Sequence, residues 1–185
     1  MSKLLWKPSA ERVERANLTR FIELVNRRHD LCLAGYDELY RWSIAEIPSF
    51  WEAVWDFCGL RASARHETVL ENPKMPGAKW FRGARLNFAE NLLRYRDAQT
   101  ALIFVREGGV VQGSVTYAEL YGMVARFARF LRDQGVGVGD RVGAFMPNRI
   151  ETVVGMLAAA SLGAIWSSCS PDFGFHGVMD RFGQI

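Results

Sequence analysis

The sequence predicts an α/β protein, with a helical amino-terminal extension leading into a domain whose helices flank a parallel sheet. Three observations predict it. Apolar residues recur at helical spacing through the first third of the chain. From Thr116 onward the order is helix, strand, helix, strand, and the strands are apolar with little alternation, as suits a sheet covered on both faces. The connections are short enough for right-handed crossovers, and no internal repeat is visible.

The first helix is expected to begin at Ser9, which follows Pro8 and can cap it. Leu18, Phe21, Ile22 and Val25 make one apolar face at i, i+3, i+4, i+7 spacing, and Arg27, Arg28 and His29 suit the carboxyl end. A second helix is expected near Pro48, a favourable first-turn residue. Trp51, Val54, Trp55 and Cys58 form its apolar face, with Gly59 as the stop. Residues 61–86 read as irregular, and PKMPGAKW at 73–80 reads as loop. Asn87 followed by Glu90 is a cap pattern for a short helix through Arg94.

Ala101–Val105 is a β-prone run, Gly108-Gly109 a turn, and Val110 onward a returning hairpin strand. Thr116-Tyr117-Ala118-Glu119 is a capping box. Its helix places Leu120, Val124, Phe127 and Leu131 on one face and ends at Gly135. Then come a strand from Arg141 to Met146, a Pro147-Asn148 break, a helix from about Arg149 to Leu162 and a strand from Ala164 to about Cys169. The chain ends at Ile185 within another helix. A parallel sheet holding only its first strands would expose apolar faces and unpaired edges, so a truncated domain is expected.

Composition is globular, with 49% apolar and 23% charged residues. The formal charge of +3 comes from 23 basic and 20 acidic side chains scattered along the chain with no dense basic block, so nothing in it indicates a nucleic-acid patch and no nucleic-acid partner is expected. The three cysteines, Cys32, Cys58 and Cys169, lack zinc or redox spacing and read as reduced thiols of a cytoplasmic protein. His29, His66 and His176 are far apart, so no metal is expected. The opening MSKLLWKPSAER has no apolar core of a secretory signal. No charge interrupts the residues between Glu151 and Asp172, nearly the ~20 that a bilayer helix needs. Gly163 breaks that stretch, which favours a helix followed by a buried strand over a membrane span.

The glycines at 135, 137 and 139 do not form a dinucleotide fingerprint. That motif follows a strand and opens a helix, whereas these follow a helix and open a strand. There is no phosphate loop with a lysine, no G-x-S-x-G elbow, and no carboxylate pair suited to acid–base work. The residues alone support an α/β domain and assign it no chemistry.

A resemblance goes further. Residues 115–171, VTYAELYGMVARFARFLRDQGVGVGDRVGAFMPNRIETVVGMLAAASLGAIWSSCSP, resemble the opening of the adenylate-forming superfamily. Its members share a Thr/Ser-Tyr-x-Glu-Leu entry, a G-V-x-x-G-D-R-V turn into a strand, a Pro-Asn loop, and an Ala/Gly-rich helix running into a strand. WFRGARLNFAENLL, 80–93, resembles the amino-terminal extension of the short-chain acyl-CoA synthetases. MPGAKWF, 75–81, and GAIWSSCSPDFG, 163–174, resemble the acetoacetyl-CoA synthetase family. The resemblance covers most of the chain and is clearest from Trp42 onward.

It implies the fold: residues 1–95 as the helical extension and 96–185 as the start of the large AMP-binding α/β domain. It also implies a ligase that takes acetoacetate, Mg-ATP and CoA through an acyl adenylate. No catalytic residue is expected in this chain, because the family's phosphate loop, adenine contacts and catalytic lysine fall farther along. The remainder of the synthetase chain would be its partner, and 185 residues alone would be inactive.

One site is implied by position. Related acetyl-CoA synthetases place a Gly-Gly pair three residues ahead of a Ser-Pro, lining the pantetheine tunnel. Anchored on Ser170-Pro171, the matching residues are Ser167 and Ser168, whose added β-carbons and hydroxyls depart from the pattern. Either the tunnel is shaped differently or the contact is lost, and buried hydroxyls capping a strand end would look the same in sequence. Acetate or propionate as the acid, or a stand-alone module recruiting a partner at a sheet edge, remain alternatives.

Overall fold

The computed structural model describes residues 5–185, which divide into two units meeting in the chain at Arg85–Leu86. Residues 1–4, read above for a leader, lie outside the described residues.

In the first unit, the expected opening helix is two. Helix α1 is Ala10–Glu14, with the Ser9 hydroxyl accepting from the Arg12 N–H at 3.3 Å. Ala16 is then extended (φ −69°, ψ 144°), and α2 restarts at Asn17–His29. No α1 residue is buried, so no packing holds α1 in line with the apolar stripe of α2. Thr19 donates its hydroxyl to the Val13 carbonyl at 2.6 Å across the corner. Helix α3, Tyr36–Ala45, was not legible; it starts without a side-chain cap, and Leu39 is its one buried residue.

Helix α4 is Ile47–Phe57, with Pro48 in its first turn and Gly59 beyond its end at φ 58°. Its packed face is one position off the expected one. Ala53 and Trp55 are buried, Phe50, Val54 and Phe57 pack on the α2 stripe, and Trp51 and Cys58 are exposed. The Phe21 ring meets Phe50 and Phe57 edge-on at 5.8 and 5.2 Å, which draws that face toward α2.

Residues 61–86 also differ from expectation. Strand β1, Thr68–Glu71, pairs antiparallel with β2, Lys79–Arg82, so the end of PKMPGAKW is strand. Four-residue strands with charged ends leave little period to read, and an Arg82–Glu71 ion pair at 2.5 Å ties them.

The second unit opens with α5, Phe88–Leu92, capped by the Asn87 side chain accepting from the Glu90 N–H at 3.1 Å. Strands β3, Thr100–Val105, and β4, Val111–Thr116, form an antiparallel hairpin whose turn uses Gly108 and Gly109 at φ 82° and 76°. Helix α6, Tyr117–Asp133, buries Leu120, Val124, Ala128 and Leu131. The Thr116 box is formed: its hydroxyl accepts from the Glu119 N–H at 3.2 Å, and its own N–H donates to the Glu119 carboxylate at 2.8 Å.

Strand β5, Arg141–Phe145, helix α7, Ile150–Ser161, and strand β6, Ile165–Cys169, complete a crossover in which β5 and β6 pair in parallel. Helix α8, Phe175–Phe182, follows. The parallel pair bears out the fold class, but alternate residues of β5 are exposed, as are Ile165 and Ser168 of β6, so within these residues the strands are not covered throughout. The glycine run is a turn: Gly137 donates to the Asp140 carboxylate at 2.8 Å and Gly139 to the Gly163 carbonyl at 3.1 Å. The uncharged stretch after Glu151 resolves into α7, Gly163 at φ 74°, and β6. No helix of the described residues is long and apolar enough to cross a membrane. Leu120, Val124, Val154, Leu157 and Ala158 centre the core of this unit.

Candidate functional site

Ligands of open parallel α/β sheets sit beyond the carboxyl ends of the strands. In the second unit that edge is built by the residues after β5 and β6. Met146 donates its N–H to the Cys169 carbonyl at 3.1 Å, extending the ladder past the strand. The Pro147-Asn148 break is closed by Thr152 of α7, whose hydroxyl donates to the Pro147 carbonyl at 2.6 Å. Arg149 stands 3.2 Å from Glu151 and lies over the Phe104 ring at 5.6 Å, so its charge is compensated locally. Beyond β6, the Ser170 hydroxyl donates to the Asp172 carboxylate at 2.9 Å.

Ser167 and Ser168 lie within β6, opposite Gly143 and Ala144 of β5. Successive side chains of a strand point to opposite faces. A β-carbon added to Gly155 of α7 would stand 2.7 Å from the Trp166 ring, which places the Trp166 side of β6 against α7. Ser168 shares that side. A β-carbon on Gly143 would stand 3.9 Å from the Phe182 ring of α8, and Ser167 shares the Gly143 side. The structure therefore places the two serines side by side in sequence and on opposite faces. Ser167 is half-buried and Ser168 exposed, and both lie inside the strand rather than capping its end.

The α7-facing side of β5 and β6 also borders an apolar groove of about 590 Å³, lined by Phe127, Phe130, Val142 and Trp166, with Arg126 and Glu151 as its charged side chains. In the first unit a cleft of about 420 Å³ between Phe21, Tyr40 and Phe57 is floored by that unit's core.

Perturbed ionisation lies away from the carboxyl edge. Hydrogen bonds from the Thr116 backbone and hydroxyl hold Glu119 below the usual glutamate range. Burial pushes Asp56 up, but hydrogen bonds and charge from Arg28 and Arg65 outweigh it and the net direction is down. His66 is enclosed by Trp55 and Phe81 at 5.0 and 5.2 Å, with Nε2 3.8 Å from Glu52. Among the described residues no three His, Cys, Asp or Glu side chains are grouped to hold a metal ion. Sequence reasoning found the strand that carries the serines. It missed the Trp166–Gly155 contact, whose only signal was a glycine inside an otherwise regular helix.

Comparisons with known proteins follow this geometry. A family model described as "AMP-binding enzyme" matches residues 88–182, and one described as "Acetyl-coenzyme A synthetase N-terminus" matches residues 36–92. The chain is 48% identical over 181 residues to an acetoacetyl-coenzyme A synthetase of Rhizobium meliloti (strain 1021), covering 98% of this chain and 28% of the relative. It is 46% identical over 187 residues to an acetoacetyl-CoA synthetase of Danio rerio, covering 100% of this chain and 28% of the relative. The solved acetoacetyl-CoA synthetase from Streptomyces lividans is similar over 100% of this chain and 29% of its own, at 42% identity and a TM-score of 0.90. The chain thus spans 28–29% of the length of these proteins.

Proposed function

This chain belongs to the AMP-binding enzyme family, and from that premise we propose that it is part of an acetoacetate–CoA ligase. The observation that carries the reading is the unbroken likeness to acetoacetyl-CoA synthetases, at 46–48% identity across both units. In the first step a carboxylate oxygen of acetoacetate attacks the α-phosphorus of ATP. The bond to the pyrophosphate oxygen breaks, and acetoacetyl adenylate and pyrophosphate result. In the second step the CoA sulfur, its proton lost, attacks the acyl carbon. The carbon–oxygen bond to phosphate breaks, giving acetoacetyl-CoA and AMP.

Magnesium, when bound, neutralises charge on the phosphates during such a transfer. The described residues have no cluster fit to hold it, and the sequence has no phosphate loop with a lysine. We therefore place the phosphate chemistry in the remainder of the synthetase chain. This part supplies a scaffold, with Thr152 locking the loop after β5 and Ser167 and Ser168 bordering the path of the pantetheine arm. The free cysteines fit a cytoplasmic enzyme.

Acetoacetate-dependent release of pyrophosphate from ATP tests the reading, comparing the 185-residue chain with the protein carried through its downstream reading frame. Activity is expected only in the longer protein. A second reading, with acetate or propionate as the acid, is favoured by the acetyl-CoA synthetase match over residues 36–92. A longer protein that activates acetate and ignores acetoacetate would select it.

A further inference from the structure

Helices α7 and α8 lie on opposite faces of the parallel pair. Trp166 of β6 meets Gly155 of α7, where an added β-carbon would stand 2.7 Å from the indole. Trp166 is in register with Val142, and Ser167 with Gly143, so Gly143 turns to the other face. There a β-carbon would stand 3.9 Å from the ring of Phe182, the last residue of α8. Helix α8 therefore leaves β6 and ends over β5.

The change of face sets the direction of the chain. A strand, a helix and a parallel strand connect with a right hand. With α7 in front and the strands pointing up, β6 stands to the right of β5. With α8 behind, the same hand carries the next strand to the left, onto the outer side of β5. The place of Phe182 gives that direction independently.

The outer side of β5 can receive a strand. Among the described residues β5 pairs with β6 alone. Ile165 donates to the Asp140 carbonyl at 2.7 Å, and Met146 to the Cys169 carbonyl at 3.1 Å, so the even-numbered residues of β5 turn their backbone groups to β6. Gly143 and Phe145 turn theirs outward, as on any free edge. The groove of about 590 Å³ touches Val142, Gly143 and Ala144 in succession. Side chains alternate along a strand, so a groove that meets three residues in a row reaches the backbone itself. Phe127 and Phe130 of α6 form its apolar wall, and Phe130 and Phe145 are 53% and 54% exposed.

We propose that the outer edge of β5 is the docking surface for the strand that follows α8 in the longer protein. That strand lies parallel to β5, puts β5 between itself and β6, and presents apolar side chains to Phe127 and Phe130. The chain spans 28–29% of the length of the synthetases it resembles, which leaves ample sequence to supply the strand. The inference holds whichever acid is activated, so losing the ligase reading leaves it standing.

The test uses the protein carried through its downstream reading frame. Amide exchange is read on the unaltered protein against Met146, whose N–H is already bonded to Cys169. The Gly143 and Phe145 amides are expected to exchange within about tenfold of Met146 and at least about a hundredfold slower than an unstructured peptide. Exchange at the unstructured rate means an open edge and overturns the proposal. The covering segment is then identified by placing photoreactive benzoylphenylalanine at Phe145 and, separately, at Arg141, and irradiating. The expected cross-link falls within about fifteen residues after α8, the reach of a short connection and one strand. Cross-links from both positions only to a later segment or to a second copy of the chain overturn the proposal, as does the absence of any cross-link.

Discussion

Thr116 and Glu119 satisfy each other's backbone donors at the start of α6, and the consequences can be measured separately. Thr116→Ala is expected to cost about 1 kcal/mol, read as a lower denaturant midpoint. Glu119 is held below its ordinary pKa by the Thr116 bonds, so its folded value lies under its unfolded one. Its contribution is therefore complete above the ordinary glutamate pKa of about 4.3 and is lost as pH falls through the lowered folded value. Glu119→Gln should flatten the acid limb of a stability–pH curve in that window, and an unaltered slope would refute the assignment. This cap was legible because its geometry is local: four consecutive residues specify it. The Trp166–Gly155 contact was not, because it joins a helix to the strand after it and only the folded crossover brings them together. The serine pair was legible as a position, while the opposite facing of Ser167 and Ser168 followed only once β6 was in register.

At the scale of elements, α2 and α4 are joined by rings and by charge. Phe21 is nearly buried and edge-on to two α4 rings, so Phe21→Ala should destabilise the protein by about 3–5 kcal/mol in chemical denaturation. The charged contact is weaker. Arg28 reaches Asp56 at 2.6 Å, but about a third of each side chain remains in solvent. Asp56→Asn is expected to cost less than about 1 kcal/mol, and the cost should shrink as salt is added. Asp56 is also held below its ordinary pKa, so its contribution fades as pH falls through the lowered value. The helices with long apolar stripes could be read from sequence. Helix α3 could not, since one buried leucine gives no period, and the β1–β2 hairpin could not, since its strands are too short to alternate visibly.

At the scale of the molecule, the second unit leaves large apolar side chains in solvent. Ile103, Phe130, Phe145 and Ile165 are each more than half exposed. Apolar surface of this extent favours association, so light scattering of the 185-residue protein should rise with concentration, and Ile165→Lys should reduce it. A monodisperse solution across the range would count against this. The order of elements around the crossover was legible because strand, glycine and helix signals repeat in a fixed sequence. The incomplete cover of β5 and β6 was not, since a short apolar run reads the same whether one face is covered or two.

Asn87 does two things at once. Its side-chain oxygen caps α5, and its amide nitrogen donates to the Ala160 carbonyl 73 residues away, at the far end of α7. The oxygen half can form as soon as the local turn does, on the time scale of helix nucleation. The nitrogen half must wait until a loop of that length has closed, which is slow and entropically costly. One side chain therefore joins a contact local in sequence to one that spans most of the unit, and ties the α5 cap to the last turn of α7.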